Sequence, residues 1–543
     1  DFSGIQGFIY NVVADGALKS LRSRSFFLEM LQEHIIDEIL SACGLSRANL
    51  IYNGGGNCYI LLPNTQAVED KINAIGKTVN KWLRTNFGIQ IFYAWAYVKC
   101  SANDLMNIPA EERPYEEIYR EIYRGLSKMK FSSYTAEELM ELNRPRQNEG
   151  YRECGICGTE ANLSRENRCL WCERFVNISS ALLNKDLFIT VSDKFIADYP
   201  YLTFPVESGE VYYYLIDETG SRKMLEEGLA KRIYTKNRLY YGLPYCKRLF
   251  MGDYVYSTLV EDLIDEDGMK RLGVMRADVD NLGQAFIEGF VREDNDPVRK
   301  HMYNTLSRTA AFSRQMNMFF KYYLNLILEN RNLRRCMLGK KTDKPRIVVV
   351  YSGGDDLFLV GNFRDLLEAS VCIYDYFKRY VLNTLTLSFG IGIFPLKYPI
   401  YKSADETAEL EALSKNTGRN RISVFSADED HIYTNKKFKD KVIRKKLKLL
   451  FKYFRTVPGS SKTGNSLLYS LLTLLKNSGD KINIARCAYI LAKMAPEGGS
   501  KIQKKAYRRF ADSMYSWITN ENDRKQIITA IYIYLFLTRR RSE

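Results

Sequence analysis

Two stretches far apart in this chain are written to one plan. In PRIVVVYSGGDDLFLVGN, an apolar run rich in β-branched residues (Ile347 to Val350) stops at Ser352-Gly353-Gly354-Asp355-Asp356, and a second apolar run (Leu357 to Val360) follows. Run, turn and run read as a strand-turn-strand hairpin. IYNGGGNCYILLPN, from Ile51 to Asn64, repeats it. Ser352 to Asn362 lies on Gly54 to Asn64, with Gly353 and Gly354 on Gly55 and Gly56, Asp355 on Asn57 and Asp356 on Cys58. The register holds on both sides. Upstream, Asp1-Phe2-Ser3-Gly4-Ile5-Gln6 lies on Asp278-Val279-Asp280-Asn281-Leu282-Gly283. Downstream, a strand candidate starts 32 residues after Asn57 (Ile89 to Val98) and 30 after Asp355 (Leu385 to Phe394). Such a chain should fold as two copies of one α/β unit, strands and a hairpin with helices on one face, at about 1–149 and 269–428. Arg292 to Lys300 and Arg331 to Lys344 read as insertions in the second copy.

The copies differ where chemistry would sit, because only the second keeps its acids. Asp278 ends an apolar strand, and Asp355 and Asp356 stand in the hairpin. Pairing of these strands gathers the carboxylates at one edge, where they and the Val279 carbonyl could hold two Mg²⁺ or Mn²⁺ ions about 4 Å apart. That arrangement suits in-line attack on an α-phosphate. Gly353 and Gly354 would let backbone approach a phosphate closely. The turn Asp280 to Gly283, opening a helix, would offer N–H groups to a triphosphate. Asp280 either assists or caps that helix, and capping is the simpler role. Lys415, in LEALSKNTGRNRISVF, could neutralise phosphate charge or be an ordinary surface lysine. A solvated turn is the plain alternative for the hairpin itself. His34, His301 and His431, the three histidines, form no metal-ligand pattern, which disfavours a histidine-based hydrolase.

Between the copies, Cys154-Gly-Ile-Cys157 and Cys169-Leu-Trp-Cys172 are separated by 11 residues. Paired CxxC knuckles make a tetrahedral tetrathiolate site for structural zinc, and without an open ligand position it should hold a loop and do no chemistry. This places a zinc-bearing domain at 150–268. From Asp430 onward the pattern is helical, with basic or Gly-containing separators. The chain carries +15 overall. That last segment has 25 Lys plus Arg against 8 Asp plus Glu, while the remaining 54 basic and 56 acidic residues nearly cancel. A basic helical domain at 429–543 therefore points to a phosphate backbone or an acidic partner, with a soluble face as the alternative. The apolar run Ile527 to Leu537 is too short to span a bilayer, and DFSGIQGFIY is no signal peptide, so a cytoplasmic protein without membrane contact is expected.

Taken together, DFSGIQ followed by GALKSLRSRSFFLEML, the double CxxC, Asp278-Val-Asp, SGGDD and SKNTGRN resemble the large signature subunit of type III CRISPR interference complexes, Csm-type more than Cmr-type. The resemblance covers essentially the whole chain. It implies an α+β multidomain fold: two ferredoxin-like palm domains of the GGDEF or cyclase type, a zinc-ribbon-bearing domain between them and an α-helical C-terminal domain. It implies a metal-dependent nucleotidyltransferase that joins ATP into cyclic oligoadenylate messengers in antiviral defence. The expected partners are guide RNA, target RNA and other effector subunits, small ones included. Asp278, Asp355 and Asp356 match the family's metal-binding acids; Ser352, Gly353 and Gly354 fall in its nucleotide-contacting turn. Ser3, Gly55, Gly56 and Asn57 would frame a second ATP without catalytic metal. Family members usually open with a His-Asp-type nuclease domain, whereas these residues start inside the first palm motif, so nuclease activity is not expected of them. Two other readings stand beside this one, a catalytically silent RNA-binding scaffold and a GGDEF-type dinucleotide cyclase.

Overall fold

The computed structural model describes the 543-residue chain apart from residues 13–16, 145–150, 241, 245, 265–269, 331–343, 428–430, 457–459, 477–480, 497, 499 and 539–543. The expected boundaries at 149/150, 268/269 and 428/429, and all but the last residue of the expected insertion Arg331 to Lys344, lie outside the described residues.

The second copy is built on a six-stranded sheet. Its order is Ile347–Ser352, Asp356–Asn362, Arg271–Val279, Leu387–Pro395, Arg421–Val424 and Ile432–Thr434. The first four are antiparallel, and the first in the chain lies between the third and fourth, the order of a ferredoxin-like unit. Val, Ile and Leu dominate these strands because both faces are covered. Period-two alternation sends Met275, Ala277 and Val279 to one face, against helix Phe363–Tyr380 and the C-terminal helices. Leu272 and Val274 point to the other face, which is covered by helix Ile400–Asn416 and by helix Ala17–Ala42 of the first copy. Helices were expected on one face only; the pairing of the two copies covers the second.

The first copy keeps the element order: strand Phe2–Ser3, helix Ala17–Ala42, hairpin Leu50–Gly54 and Asn57–Ile60, helix Gln66–Phe87, strand Phe92–Tyr93. The strand expected over Ile89 to Val98 pairs only at Phe92 and Tyr93, because its neighbour Phe2–Ser3 offers two residues where Arg271–Val279 offers nine. Beyond that pairing an apolar cavity of about 430 Å³ runs between the hairpin (Asn57 to Asn64) and Tyr93 to Ser101.

The cysteine knuckles and a five-stranded sheet follow, ordered Cys246–Leu249, Arg232–Lys236, Phe188–Ser192, Gly209–Ile216 and Tyr201–Val206. They share one hydrophobic core with the first copy. Phe27 packs at 5.4 Å from both Trp171 and Phe204, and Phe87 at 4.8 Å from Trp171. Each such ring contributes roughly 1.5–3 kcal/mol of burial. The run Ile527 to Leu537 sits in helix Glu521–Thr538 and packs on the second copy through Phe536, whose ring is 5.3 Å from Phe425. Among the described residues no helix is long and apolar enough to cross a membrane.

Candidate active site

Strand pairing sets Asp278 directly opposite Asp356 on one side and Ser388 on the other. The Val279 N–H donates to the Asp355 carbonyl (3.1 Å), and the Gly353 N–H to the Asp356 carbonyl (3.1 Å), which closes the turn. Gly354 takes φ 119°, a conformation open to glycine and strained for other residues. The two Gly-Gly turns meet tip to tip. The Gly55 N–H donates to the Gly353 carbonyl, and a Cβ on Gly55 would lie 3.0 Å from Asp355 Oδ1. Asn317, on helix Leu306–Met318 of the second copy, donates through Nδ2 to the Asn53 carbonyl of the first. The acids thus stand at the seam between the copies.

Their surroundings are short of positive charge. Burial, reinforced by Asp355 and Asp278, pushes the Asp356 carboxyl well above the usual carboxylate range, with Arg276 pulling the other way. Burial also raises Asp355. Asp278 is pushed up to about 7 by burial, with Asp355 and Glu411 adding to the rise and Lys415 opposing it. Lys415 Nζ lies 3.0 Å from Asp278 Oδ1 and 2.9 Å from Glu411 Oε1. Asp356 Oδ1 is buried without a hydrogen-bond partner. An orphaned carboxylate oxygen beside two further aspartates is a hard-oxygen donor set that fits Mg²⁺ or Mn²⁺. The three do not form a closed shell by themselves. Among the described residues, the one group of three or more His, Cys, Asp or Glu side chains whose donor atoms all lie within 4.8 Å is Cys154, Cys157, Cys169 and Cys172. That buried quartet fits zinc; Cys169 caps helix Leu170–Ala181, and Arg24 donates to Cys172 Sγ at 3.6 Å.

Other residues singled out by sequence fall differently. Asp280 caps nothing: Asn281 holds the N-cap position of helix Leu282–Glu288. The Asp280 carboxylate instead accepts from Thr386 Oγ1 (2.6 Å), Ser388 Oγ (2.6 Å) and the Asn420 N–H (2.9 Å), locking the strand end to its neighbours. The Ser352 hydroxyl donates to the Phe320 carbonyl at 2.6 Å and is buried, so it faces the helix layer. Gly283 has open space around its Cβ position, so no neighbouring protein atom requires glycine there. Ser3 pairs with Phe92 beside the first turn, while Asn57 closes that turn against Gly54 and its carbonyl accepts from Gln32 Nε2 at 2.9 Å. Sequence reasoning missed Arg276, Asn317 and Glu411. The i,i+4 pair Glu411 and Lys415 was the available signal for one of them.

Comparison with known proteins bears on the same elements. The model for Csm1 subunit domain B matches residues 1–145, that for the second palm domain of Cas10/Cmr2 matches 271–423, and that for the second helical domain of the CRISPR RNA silencing complex Cmr2 subunit matches 451–540. A Streptococcus thermophilus protein, named CRISPR system single-strand-specific deoxyribonuclease Cas10/Csm1 (subtype III-A), is 34% identical over 556 residues, 99% of this chain and 67% of the relative. The chain belongs to the Cas10/Csm1 family of subtype III-A CRISPR systems. A Cas10/Csm1 relative of the same name from Mycobacterium tuberculosis is 36% identical over 557 residues, covering 99% of this chain and 66% of its own. The chain thus spans about two thirds of the length of these Cas10/Csm1 relatives. The crystal structure of Csm1 in T. onnurineus shares the fold at TM-score 0.73 and 24% identity, covering 99% of this chain and 69% of that one. A Csm1-Csm4 cassette in complex with one ATP matches at TM-score 0.71 and 26% identity, with the same coverage. The family expected from the sequence motifs is the family found, and the palm and C-terminal helical domains of the Cas10/Csm1 fold are present.

Proposed function

We propose that this chain is the nucleotidyltransferase part of a type III-A effector, converting ATP to cyclic oligoadenylates when its guide-RNA-bearing complex captures target RNA. One observation carries the reading: two glycine turns abut at the seam of paired palms, and only one bears acids. A solved Csm1-Csm4 cassette holds one ATP at 26% identity to this chain, which supports the substrate class and a Csm4-type partner subunit. In the second palm Asp278, Asp355, Asp356 and the Val279 carbonyl would hold two divalent cations. Bound there, the ions supply Lewis-acid polarisation of the α-phosphate and activation of the attacking 3′-hydroxyl. Gly353 and Gly354 admit the phosphates closely, and Lys415 offsets their charge. In the first palm Asn57 and Cys58 replace the acids, so Gly55 and Gly56 frame an ATP that contributes its hydroxyl. The 3′-oxygen forms the new P–O bond, its proton leaves to solvent, and pyrophosphate departs in line.

The test incubates the 543-residue chain, alone and with its RNA-guided partner subunits, with ATP and Mg²⁺ or Mn²⁺ and identifies products by mass spectrometry. Adenylate rings are expected from the activated complex and are lost in Asp355→Ala with Asp356→Ala. Unchanged product in that variant would refute the metal assignment. A silent scaffold is the second reading, favoured by the Lys415 contact that already occupies Asp278. Absence of any adenylate oligomer from both preparations would establish it.

A further inference from the structure

Four charged side chains form a line at the edge of the candidate site. The Arg276 Nε donates to Glu411 Oε2 at 3.1 Å. Glu411 Oε1 lies 2.9 Å from Lys415 Nζ, and Lys415 Nζ lies 3.0 Å from Asp278 Oδ1. Arg276 and Glu411, the two buried members, are held by the fold. Arg276 and Asp278 are two residues apart on one strand and therefore share a face. Glu411 and Lys415 are one turn apart on helix Ile400–Asn416, which lies across that face. The Arg276 and Glu411 side chains are 9% and 10% exposed, whereas Lys415 and Asp278 are 30% and 27% exposed, and of these two Lys415 is carried on the flexible four-carbon stem. Glu411 is therefore held by a buried guanidinium at one oxygen, and the group at its other oxygen is the one free to move. With Asp355 and Asp356 nearby, four carboxylates face two cationic side chains, a deficit that a divalent cation would correct.

We infer that Lys415 is an internal stand-in counter-ion on Asp278, and that Glu411 is the positioning residue that keeps it within reach when a cation takes the carboxylate and Lys415 turns to a nucleotide phosphate. This rests on the nucleotidyltransferase reading and deepens it. The lysine exchanges one anion for another while its contact with Glu411 persists, so the loaded site gains a phosphate ligand without losing a buried ion pair. Arg276 completes the device. Without it, Glu411 would be a buried charge shared with a mobile partner alone, an arrangement that is costly to maintain.

Two measurements on the full 543-residue chain test the device. The first is Mn²⁺ affinity without nucleotide, read by electron paramagnetic resonance of free Mn²⁺. Lys415→Met removes the competitor, so Mn²⁺ binds about fivefold tighter than in the parent. The second is a double-mutant cycle on the KM for ATP in the activated complex. Glu411→Gln raises KM by about tenfold alone and by less than about twofold in the Lys415→Met background, because it acts through the lysine. Unchanged or weaker Mn²⁺ binding in Lys415→Met overturns the stand-in role, and additive KM effects overturn the positioning role. No Mn²⁺ binding by the parent overturns the cation reading and this inference with it, which separates the two failures. Should Glu411→Gln melt below assay temperature, the Mn²⁺ affinity of Lys415→Met decides alone.

Discussion

The backbone N–H of Gly55 donates to the carbonyl oxygen of Gly353, so the acid-free turn of one copy rests directly on the acid-bearing turn of the other. Residues that set this contact should matter as much as the acids. A Cβ on Gly354 would lie 2.8 Å from Asn317 Oδ1 and 3.3 Å from Gly54 Cα, at φ 119°. Gly354→Ala is expected to destabilise the chain by about 1–3 kcal/mol and to lower adenylate synthesis by roughly a hundredfold as the turns separate. Gly44 also has a positive φ, 66°, but open space around it. Gly44→Ala should show the conformational strain alone, with product formation kept. Melting curves and product yield for both variants check this.

The orphaned carboxylate of Asp356 should cost stability where no cation balances it. Its carboxyl is buried, raised by that burial and by its acidic neighbours, and leaves Oδ1 unpartnered. Asp356→Asn removes the charge that a cation-free site cannot satisfy. The variant should be more stable than the parent by about 1 kcal/mol without divalent ions and inactive with them. Thermal melts with and without Mn²⁺ measure it: the cation should stabilise the parent and leave the variant unchanged.

Zinc should hold more than a loop. The knuckle residue Trp171 packs on Phe27 and Phe87 of the first copy, so the cysteine site and that copy share a core. We expect one zinc per chain by elemental analysis. Chelation, or Cys157→Ser, should lower the melting midpoint by roughly 10 °C or more and change tryptophan fluorescence. A chelated chain that melts with the parent would show the site to be dispensable.

His34 predicts a loss of stability in acid. Its Nε2–H donates to the Pro205 carbonyl (2.8 Å) and its Nδ1 accepts from the Tyr213 hydroxyl (3.0 Å). Burial lowers its pKa to about 4. Between the unfolded value near 6.5 and about 4, the unfolded chain binds the proton and the folded chain does not. Stability is therefore full above that window and falls as pH drops through it, by up to about 3 kcal/mol. Asp278, raised to about 7, has the opposite sign, since its folded form keeps a proton that the unfolded form has lost. The difference between parent and His34→Gln isolates the histidine. Denaturant unfolding at pH 7, 6 and 5 should show the parent losing stability relative to the variant as pH falls.

Much of the site was legible because it is written locally. SGGDD, its copy at Gly54 to Cys58 and the paired CxxC are short patterns whose chemistry follows from residue type and spacing. Asp280 was misjudged because a carboxylate before a helix looks like a cap until Thr386, Ser388 and Asn420, distant in sequence, claim its oxygens. Ser352 looked like part of the open turn, yet strand alternation turns its hydroxyl to Phe320.

By itself the sequence determined the duplication, the asymmetry of its acids, the cysteine site and the family, because each is carried by contiguous residues. Only the tertiary structure decided that the two turns touch, that Lys415 sits on Asp278 with Glu411 behind it, and that the first copy shares its core with the cysteine-knuckle region. Those facts depend on how sheets and helices stack, and burial of apolar faces sets that stacking without a local pattern to announce it.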